Sequence, residues 1–160
     1  MNTDLQTHRI HQFVERVGLF WDNYGGQRMA GRVLGWLLVC DPPVQSITQI
    51  AEGVMASKAS ISTSCRTLEL IGLIEKVPVR GDRAAYYRML EGSWSRMFEA
   101  KQVALRLFRE LAEEGLAVLE GESEERRERL EELHDLYAFL ELEMPKIIED
   151  WRESRRKAKA

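Results

Sequence analysis

The hydrophobic period of the chain changes at Gly72, and this change limits the folds that the chain can adopt. Before it, Ile61, Cys65 and Leu68 recur at the spacing of an amphipathic helix. After it, two β-favouring runs, LIEKVPV and AAYYRM, flank the turn-forming sequence RGDR, as in a β-hairpin. Pro78 in the first run predicts an edge strand, because proline cannot donate a hydrogen bond to the sheet. The pattern therefore predicts a helix followed by a small hairpin.

Three helical patterns lead up to this hairpin. Residues 4–24 carry apolar side chains at steps of three and four, and residues 28–40 form a mostly apolar helix that ends at DPP. Ser46 and Gln49 have the spacing of a capping box that opens a short helix, and Ser57 can cap the next helix. Helix, short helix, tight turn, helix and hairpin are the order of a winged helix-turn-helix. We therefore predict a mainly α fold with a small β-hairpin wing.

Two long helices are predicted for the C-terminal part of the chain. The first runs from Trp94, with Ser93 as its cap, to about Leu119, and the second begins after Ser123. The second helix carries an apolar seam with alternating spacings of three and four residues, which is heptad-like. Pro145 lies within it and predicts a bend or a restart of the helix.

Three long amphipathic helices are more than a chain of 160 residues can cover, which predicts a homodimer. The predicted organisation is an N-terminal dimerisation helix at 1–27, a winged helix-turn-helix domain at 28–91 and C-terminal dimerisation helices at 92–160. The predicted interface residues are Phe13, Val17, Leu133, Tyr137, Leu140, Met144, Ile147 and Trp151. The alternative is that the C-terminal seam packs within one chain.

The charge distribution is compatible with DNA binding by one part of the chain. The net charge is −3, but residues 57–90 hold six basic and three acidic residues. Residues 110–150 hold fifteen acidic and four basic residues, and residues 152–159 hold five basic residues and one acidic residue. A basic segment beside an acidic helical region suits contact with DNA through the predicted winged helix.

The helix that follows Ser57 has short polar side chains opposite its apolar stripe. A major groove admits one α-helix, whose N-terminal residues lie nearest the bases, and Ser, Thr and Arg can bond phosphates or bases. The arginines of RGDR suit a neighbouring backbone or minor groove, and Asp82 is expected to orient an arginine. The predicted DNA-binding residues are Ser46, Ser57, Lys58, Ser60, Ser62, Thr63, Arg66, Thr67, Arg80 and Arg83. The alternative is a winged helix that binds only other proteins.

Three stretches of the chain carry a resemblance to a known family: RMAGRVLGWLLVCDPPVQS (28–46), ISTSCRTLELIGLIEKV (61–77) and GDRAAYYRM (81–89). Through them the chain resembles the GbsR-type branch of the MarR family, most closely actinobacterial repressors of lipid and drug exporters. It extends over roughly residues 13–150.

This resemblance implies a homodimeric winged-helix repressor that binds a near-palindromic operator. It also implies release from DNA when a small hydrophobic or lipid-like molecule enters between the DNA-binding and dimerisation parts. By resemblance, the recognition helix is 57–71 and the wing is 80–83. The wing is shorter than in broader MarR-like proteins, so deep insertion into the minor groove is not carried over.

A pocket for such an effector can be placed between the first, second and fifth helices. The predicted ligand-binding residues are Phe20, Trp21, Tyr24, Arg28, Arg32, Trp36, Met97 and Phe98. Aromatic residues at helical spacing are also typical of a plain core. Arg28 and Arg32 can hold a polar head group or pair with acidic residues at the dimer junction.

The sequence lacks the motifs of an enzyme, with no phosphate loop, nucleophile elbow or paired-acid motif. His8 and His11 share a helix face with Asp4, which could form a weak metal site, but we expect solvated or dimer-edge histidines and neither metal nor cofactor. Cys40 and Cys65 are expected to be reduced thiols, with a redox switch as the alternative.

The chain is predicted to be cytoplasmic. Its N-terminus lacks the pattern of a signal peptide, and its longest apolar run, VLGWLLVC, is too short to cross a membrane.

Overall fold

The computed structural model describes residues 2–159, with side chains for residues 5–158. The elements in this range are α1 (Asn2–Asn23), α2 (Arg28–Val39), β1 (Gln45–Ser46), α3 (Ile47–Gly53), α4 (Lys58–Leu70), β2 (Ile74–Val77), β3 (Tyr86–Met89), α5 (Ser93–Val118) and α6 (Glu124–Lys159). The predicted fold class, mainly α with a small wing, is confirmed. Contacts divide the chain into one compact unit that ends at Ser93 and a second that begins at Trp94. None of the described helices combines the length and apolar character that a bilayer crossing needs.

The first unit is built on close packing of α1 against α2. A Cβ atom on Gly31 would lie 2.9 Å from the Cα of Gly18 and from the carbonyl oxygen of Val17. Val14 is buried beside this crossing. Glycine permits the approach because it has no side chain. Helix α1 therefore shares a compact unit with the winged helix, and its assignment to dimerisation stays a prediction.

The small sheet has three antiparallel strands in the order β1-β3-β2. Strands β2 and β3 form the predicted hairpin, with Ile74 opposite Met89. Strand β2 lies at the edge and ends directly before Pro78, which confirms the prediction from that proline. Strand β1, where Ser46 pairs with Tyr86, was not predicted from the sequence. Two residues are too few to show an alternating pattern.

The second unit consists of α5 and α6, which run antiparallel. Phe108 of α5 meets Tyr137 of α6 edge-on, with 4.9 Å between ring centroids, and Leu130 lies against Gly115. Part of the apolar seam therefore packs within one chain, as the alternative expectation has it. Helix α6 continues through Pro145, so the predicted restart at that residue is wrong.

Candidate nucleic-acid interface

Helix α4 is anchored through a fully buried apolar side. Ile61, Cys65 and Leu68 each have 0% of their surface exposed, which confirms the predicted stripe. Burial raises the pKa of the Cys65 thiol to about 12, so the thiol is protonated at neutral pH. Because the thiolate is the reactive form, this disfavours a redox role for Cys65. Burial also raises the pKa of Cys40.

The opposite side of α4 faces solvent. The helix begins after Ser57, whose Oγ accepts the Ser60 N–H at 3.2 Å, as the capping pattern predicted. Of the predicted DNA-binding residues here, Ser57, Lys58, Thr63 and Arg66 are exposed, and Ser60, Ser62 and Thr67 are half-buried. These side chains lie together on the surface that the core leaves open.

Ser46 is separate from this surface. It is 8% exposed, and its Oγ accepts the Gln49 N–H at 3.2 Å, while Gln49 Oε1 accepts the Ser46 N–H at 2.8 Å. The predicted capping box is therefore confirmed. Because the hydroxyl oxygen serves the start of α3 from a buried position, we assign Ser46 to capping, in place of its predicted DNA contact.

Side chains of α1 and α2 hold the turn between α3 and α4 in place. Nη2 of Arg32 donates to the carbonyl oxygen of Val54 at 2.6 Å, and Nε of Arg32 lies 2.6 Å from Oε1 of Glu15. The indole of Trp36 covers Gly53 so closely that a Cβ there would overlap it. Helices α1 and α2 thus set the point from which α4 starts. An arginine within an otherwise apolar helix was the only sequence signal for this role.

Asp82 organises the loop of the wing. Its Oδ1 accepts the Ala84 N–H at 2.8 Å, and its Oδ2 accepts the Tyr86 hydroxyl at 2.8 Å. These bonds lower the pKa of Asp82, and the carboxylate raises the pKa of Tyr86. The expectation that Asp82 orients an arginine is therefore corrected, because donors two and four residues further on take both oxygens. Arg80 and Arg83 are exposed on the same loop.

The predicted aromatic ligand residues of the first unit lie in two different settings, one exposed and one packed against helices. Phe20 and Tyr24 are exposed and contact each other, with ring centroids 4.6 Å apart. Trp21 lies against Gly31 at the helix crossing, and Trp36 covers the turn before α4. Both tryptophans therefore have packing roles, as the plain-core alternative expected.

Arg28 and Arg32 both pair with Glu15 of the same chain. The distances are 3.0 Å from Arg28 Nη2 to Glu15 Oε2 and 2.6 Å from Arg32 Nε to Glu15 Oε1. The expectation that they pair with an acid is confirmed, and the predicted position of this pairing at the dimer junction stays a prediction. A cleft of about 490 Å³ lies beside Arg32, and its lining includes His8, His11 and Met55.

An apolar groove of about 480 Å³ lies between α5 and α6 in the second unit. It is lined by Trp94, Ser95, Phe98, Met144, Ile147, Ile148 and Trp151. The groove therefore unites Phe98 from the predicted ligand set with three residues from the predicted dimer set. Met97, half-buried on α5, does not line it.

Among the side chains that the structure describes, no three His, Cys, Asp or Glu residues are placed to hold a metal ion. His8 Nε2 lies 2.9 Å from the amide nitrogen of Gln12. The side chain of Asp4, considered with these histidines, lies outside the described residues.

A recognition-type helix on a helix-turn-helix, followed by a β-hairpin, defines a winged-helix transcriptional regulator, and comparison with known proteins agrees. Residues 92–154 match the family described as MmpR5-like MarR family transcriptional regulator. The HTH-type transcriptional regulator MmpR5 of Mycobacterium tuberculosis is 39% identical over 132 residues, covering 82% of this chain and 80% of that protein.

A solved structure described as a transcriptional regulator superposes on the fold with a TM-score of 0.75. It shares 35% identity, and the alignment covers 91% of this chain and 99% of that one. The chain belongs to the MarR family of transcriptional regulators, among its MmpR5-like members. Its relatives are regulators of transcription, and the protein is not an enzyme.

Proposed function

We propose that the protein is a sequence-specific repressor that binds a near-palindromic operator as a homodimer and is released by a small hydrophobic ligand. The observation that carries DNA binding is the surface of α4, where small polar side chains and Arg66 face solvent while the opposite side is fully buried. Such a helix can enter a major groove closely. The resemblance to the GbsR-type branch favours an exporter gene as the target, with the protein acting in the cytoplasm.

Each exposed cation near α4 suits a particular part of DNA. Lys58 lies at the helix N-terminus, where backbone N–H groups also favour a phosphate. Arg66 can bond guanine or a phosphate from the middle of the helix. Arg80 and Arg83 lie on the wing, where they suit the neighbouring backbone or minor groove.

The test is binding to a duplex selected by the wild-type protein from a random-sequence library, measured by fluorescence anisotropy. We expect affinity to fall steeply with salt, because phosphate contacts release counterions. Arg66→Ala should weaken DNA binding by about 1–3 kcal/mol. Arg83→Ala should reduce the slope of log affinity against log salt concentration by about one, which corresponds to one lost phosphate contact.

Arg88→Ala is the matched control. Its guanidinium is paired with Glu75 across the hairpin, with 2.7 Å from Arg88 Nε to Glu75 Oε1, so its loss should change DNA affinity little. If folded Arg66→Ala and Arg83→Ala both bind at wild-type strength, the site assignment is wrong. Absent or salt-independent binding would favour a winged helix that contacts only proteins.

Homodimerisation is supported by apolar side chains that the second unit leaves exposed. They are Val103, Leu107 and Leu111 on α5 and Leu136, Phe139, Leu142, Ile147 and Trp151 on α6. Exposed apolar patches of this kind mark interaction surfaces. A twofold dimer would place two α4 helices about 34 Å apart on a near-palindromic operator. When protein is titrated into the selected duplex and followed by anisotropy, binding should therefore saturate at two protein chains per duplex.

The apolar groove between α5 and α6 is our proposed effector site. We expect 1-myristoylglycerol, used as an amphipathic probe, to release the selected duplex. Phe98→Trp narrows the groove without adding charge and should raise the required concentration about tenfold, which corresponds to about 1.4 kcal/mol of lost binding. Phe20→Ala, outside the groove, should respond as wild type. The proposal is wrong if amphipathic and hydrophobic probes leave DNA affinity unchanged.

A further inference from the structure

Two threonines on the open side of α4 have their hydroxyl groups turned toward the helix. Thr63 Oγ1 donates to the carbonyl oxygen of Ala59 at 3.2 Å, and Thr67 Oγ1 donates to the carbonyl oxygen of Thr63 at 3.2 Å. These bonds link positions four apart, which lie on the same side of a helix. The hydroxyl hydrogens are therefore committed to the backbone and are not available to donate to a base.

At two positions of this surface the group that remains for contact is a methyl group. Ala59 is exposed and offers only its methyl group, and Thr63 is exposed and carries a γ-methyl beside its committed hydroxyl. Both precede Arg66, in the N-terminal half of the helix, which is the part that lies nearest the bases in helix-turn-helix proteins. Ala59 and Thr63 thus present methyl groups on a surface that otherwise carries serine hydroxyls and cations.

We infer that α4 reads thymine 5-methyl groups in the major groove through Ala59 and Thr63. Thymine is the base whose major-groove edge carries a methyl group, and alanine and threonine methyls are suited to contact it. The inference rests on the proposed binding of DNA by α4, and it adds the base that the helix prefers. Thr63 selects thymine through apolar contact with its methyl group, while Arg66 supplies hydrogen bonds to the DNA.

The experiment replaces each thymine of the selected duplex, one at a time, with uracil. This change removes the 5-methyl group and leaves every hydrogen-bonding group in place. We expect one or two positions in each half-site to lose affinity about three- to fivefold, as burial of one methyl group predicts. Uracil placed outside the part of the duplex that the protein binds should leave the affinity unchanged.

Variants of Thr63 then assign the contact. Thr63→Ser keeps the hydroxyl and its bond to the backbone but removes the methyl group. We expect this variant to bind the thymine duplex about three- to fivefold more weakly than wild type does, the same loss that uracil causes. On the duplex with uracil at the sensitive position, its affinity should equal that of wild type. Thr63→Val keeps methyl groups without the hydroxyl and should still prefer thymine. Circular dichroism and thermal unfolding would verify that both variants fold.

The outcomes separate the inference from the proposed function. If no uracil position matters, or if Thr63→Ser discriminates thymine from uracil as wild type does, the inference is overturned while DNA binding stands. If Thr63→Val loses the preference, the hydroxyl is the reading group and the inference also fails. If the selection recovers no duplex, the proposed function fails, and the inference fails with it.

Discussion

Replacing Gly31 with valine should destabilise the unit that ends at Ser93 by about 3 kcal/mol, which lowers its Tm by roughly 15 °C. Helix propensity alone predicts that valine increases stability, because valine is a better helix former than glycine. The close packing of α1 on α2 outweighs this gain. Even a Cβ atom on Gly31 would lie 2.9 Å from backbone atoms of Gly18 and Val17, which cannot turn aside as a side chain can.

Gly35→Ala on the same helix provides a graded control for this effect. A Cβ there would lie 3.1 Å from the Cβ of Val17 and 3.2 Å from the Cα of Val14, a tighter contact than usual but one that a small shift can relieve. We expect a change within about 1 kcal/mol. Thermal unfolding followed by circular dichroism would measure both variants. A Gly31→Val protein as stable as wild type would contradict the close crossing.

Arg32→Met should be the second most damaging change, lowering the free energy of unfolding by about 2–3 kcal/mol and weakening DNA binding. The side chain is only 15% exposed and bonds the carbonyl oxygen of Val54 at the turn before α4. Methionine fills similar space but cannot donate, so the carbonyl loses a charged donor. Because that turn sets the start of α4, the recognition surface should lose its fixed position.

Arg28→Met separates this effect from the loss of a surface charge. Arg28 pairs with the same Glu15 but is 52% exposed, and exposed ion pairs contribute about 0–1 kcal/mol. Chemical denaturation would measure stability, and anisotropy with the selected duplex would measure binding. Equal effects of the two variants would show that Arg32 acts only through its charge, and the bond to Val54 would then lack the role assigned to it.

Features of the helix-turn-helix that depend on neighbours in sequence could be predicted well. The caps at Ser46 and Ser57 involve partners three residues away, so composition and spacing suffice to find them. The buried stripe of α4 follows from helical periodicity, and the hairpin follows from two β-favouring runs around a turn. Of the two outcomes predicted at Pro145, the restart is wrong, because a proline can be accommodated within a long helix that other contacts stabilise, and the bend stays a prediction.

The roles of single polar residues in the site depended on partners that spacing does not reveal. Ser46 was predicted to contact DNA, but its pairing with Tyr86 in a two-residue strand and its burial remove it from the surface. Asp82 was predicted to orient an arginine, but the fold of the loop brings the Tyr86 hydroxyl to it. Thr63 was grouped with hydroxyls that could bond bases, and only the structure shows its hydrogen bond to the helix.

The sequence by itself determined the order of the helices and of the β-hairpin, and with them the fold class, because caps, periods and turns are set by residues a few positions apart. The tertiary structure alone decided how α1 and α2 cross at Gly31, how Arg32 holds the turn before α4, and which side chains of α4 remain available. These outcomes depend on contacts between segments far apart in the chain. Burial and hydrogen bonding there are settled by which surfaces meet, and periodicity carries no information about that.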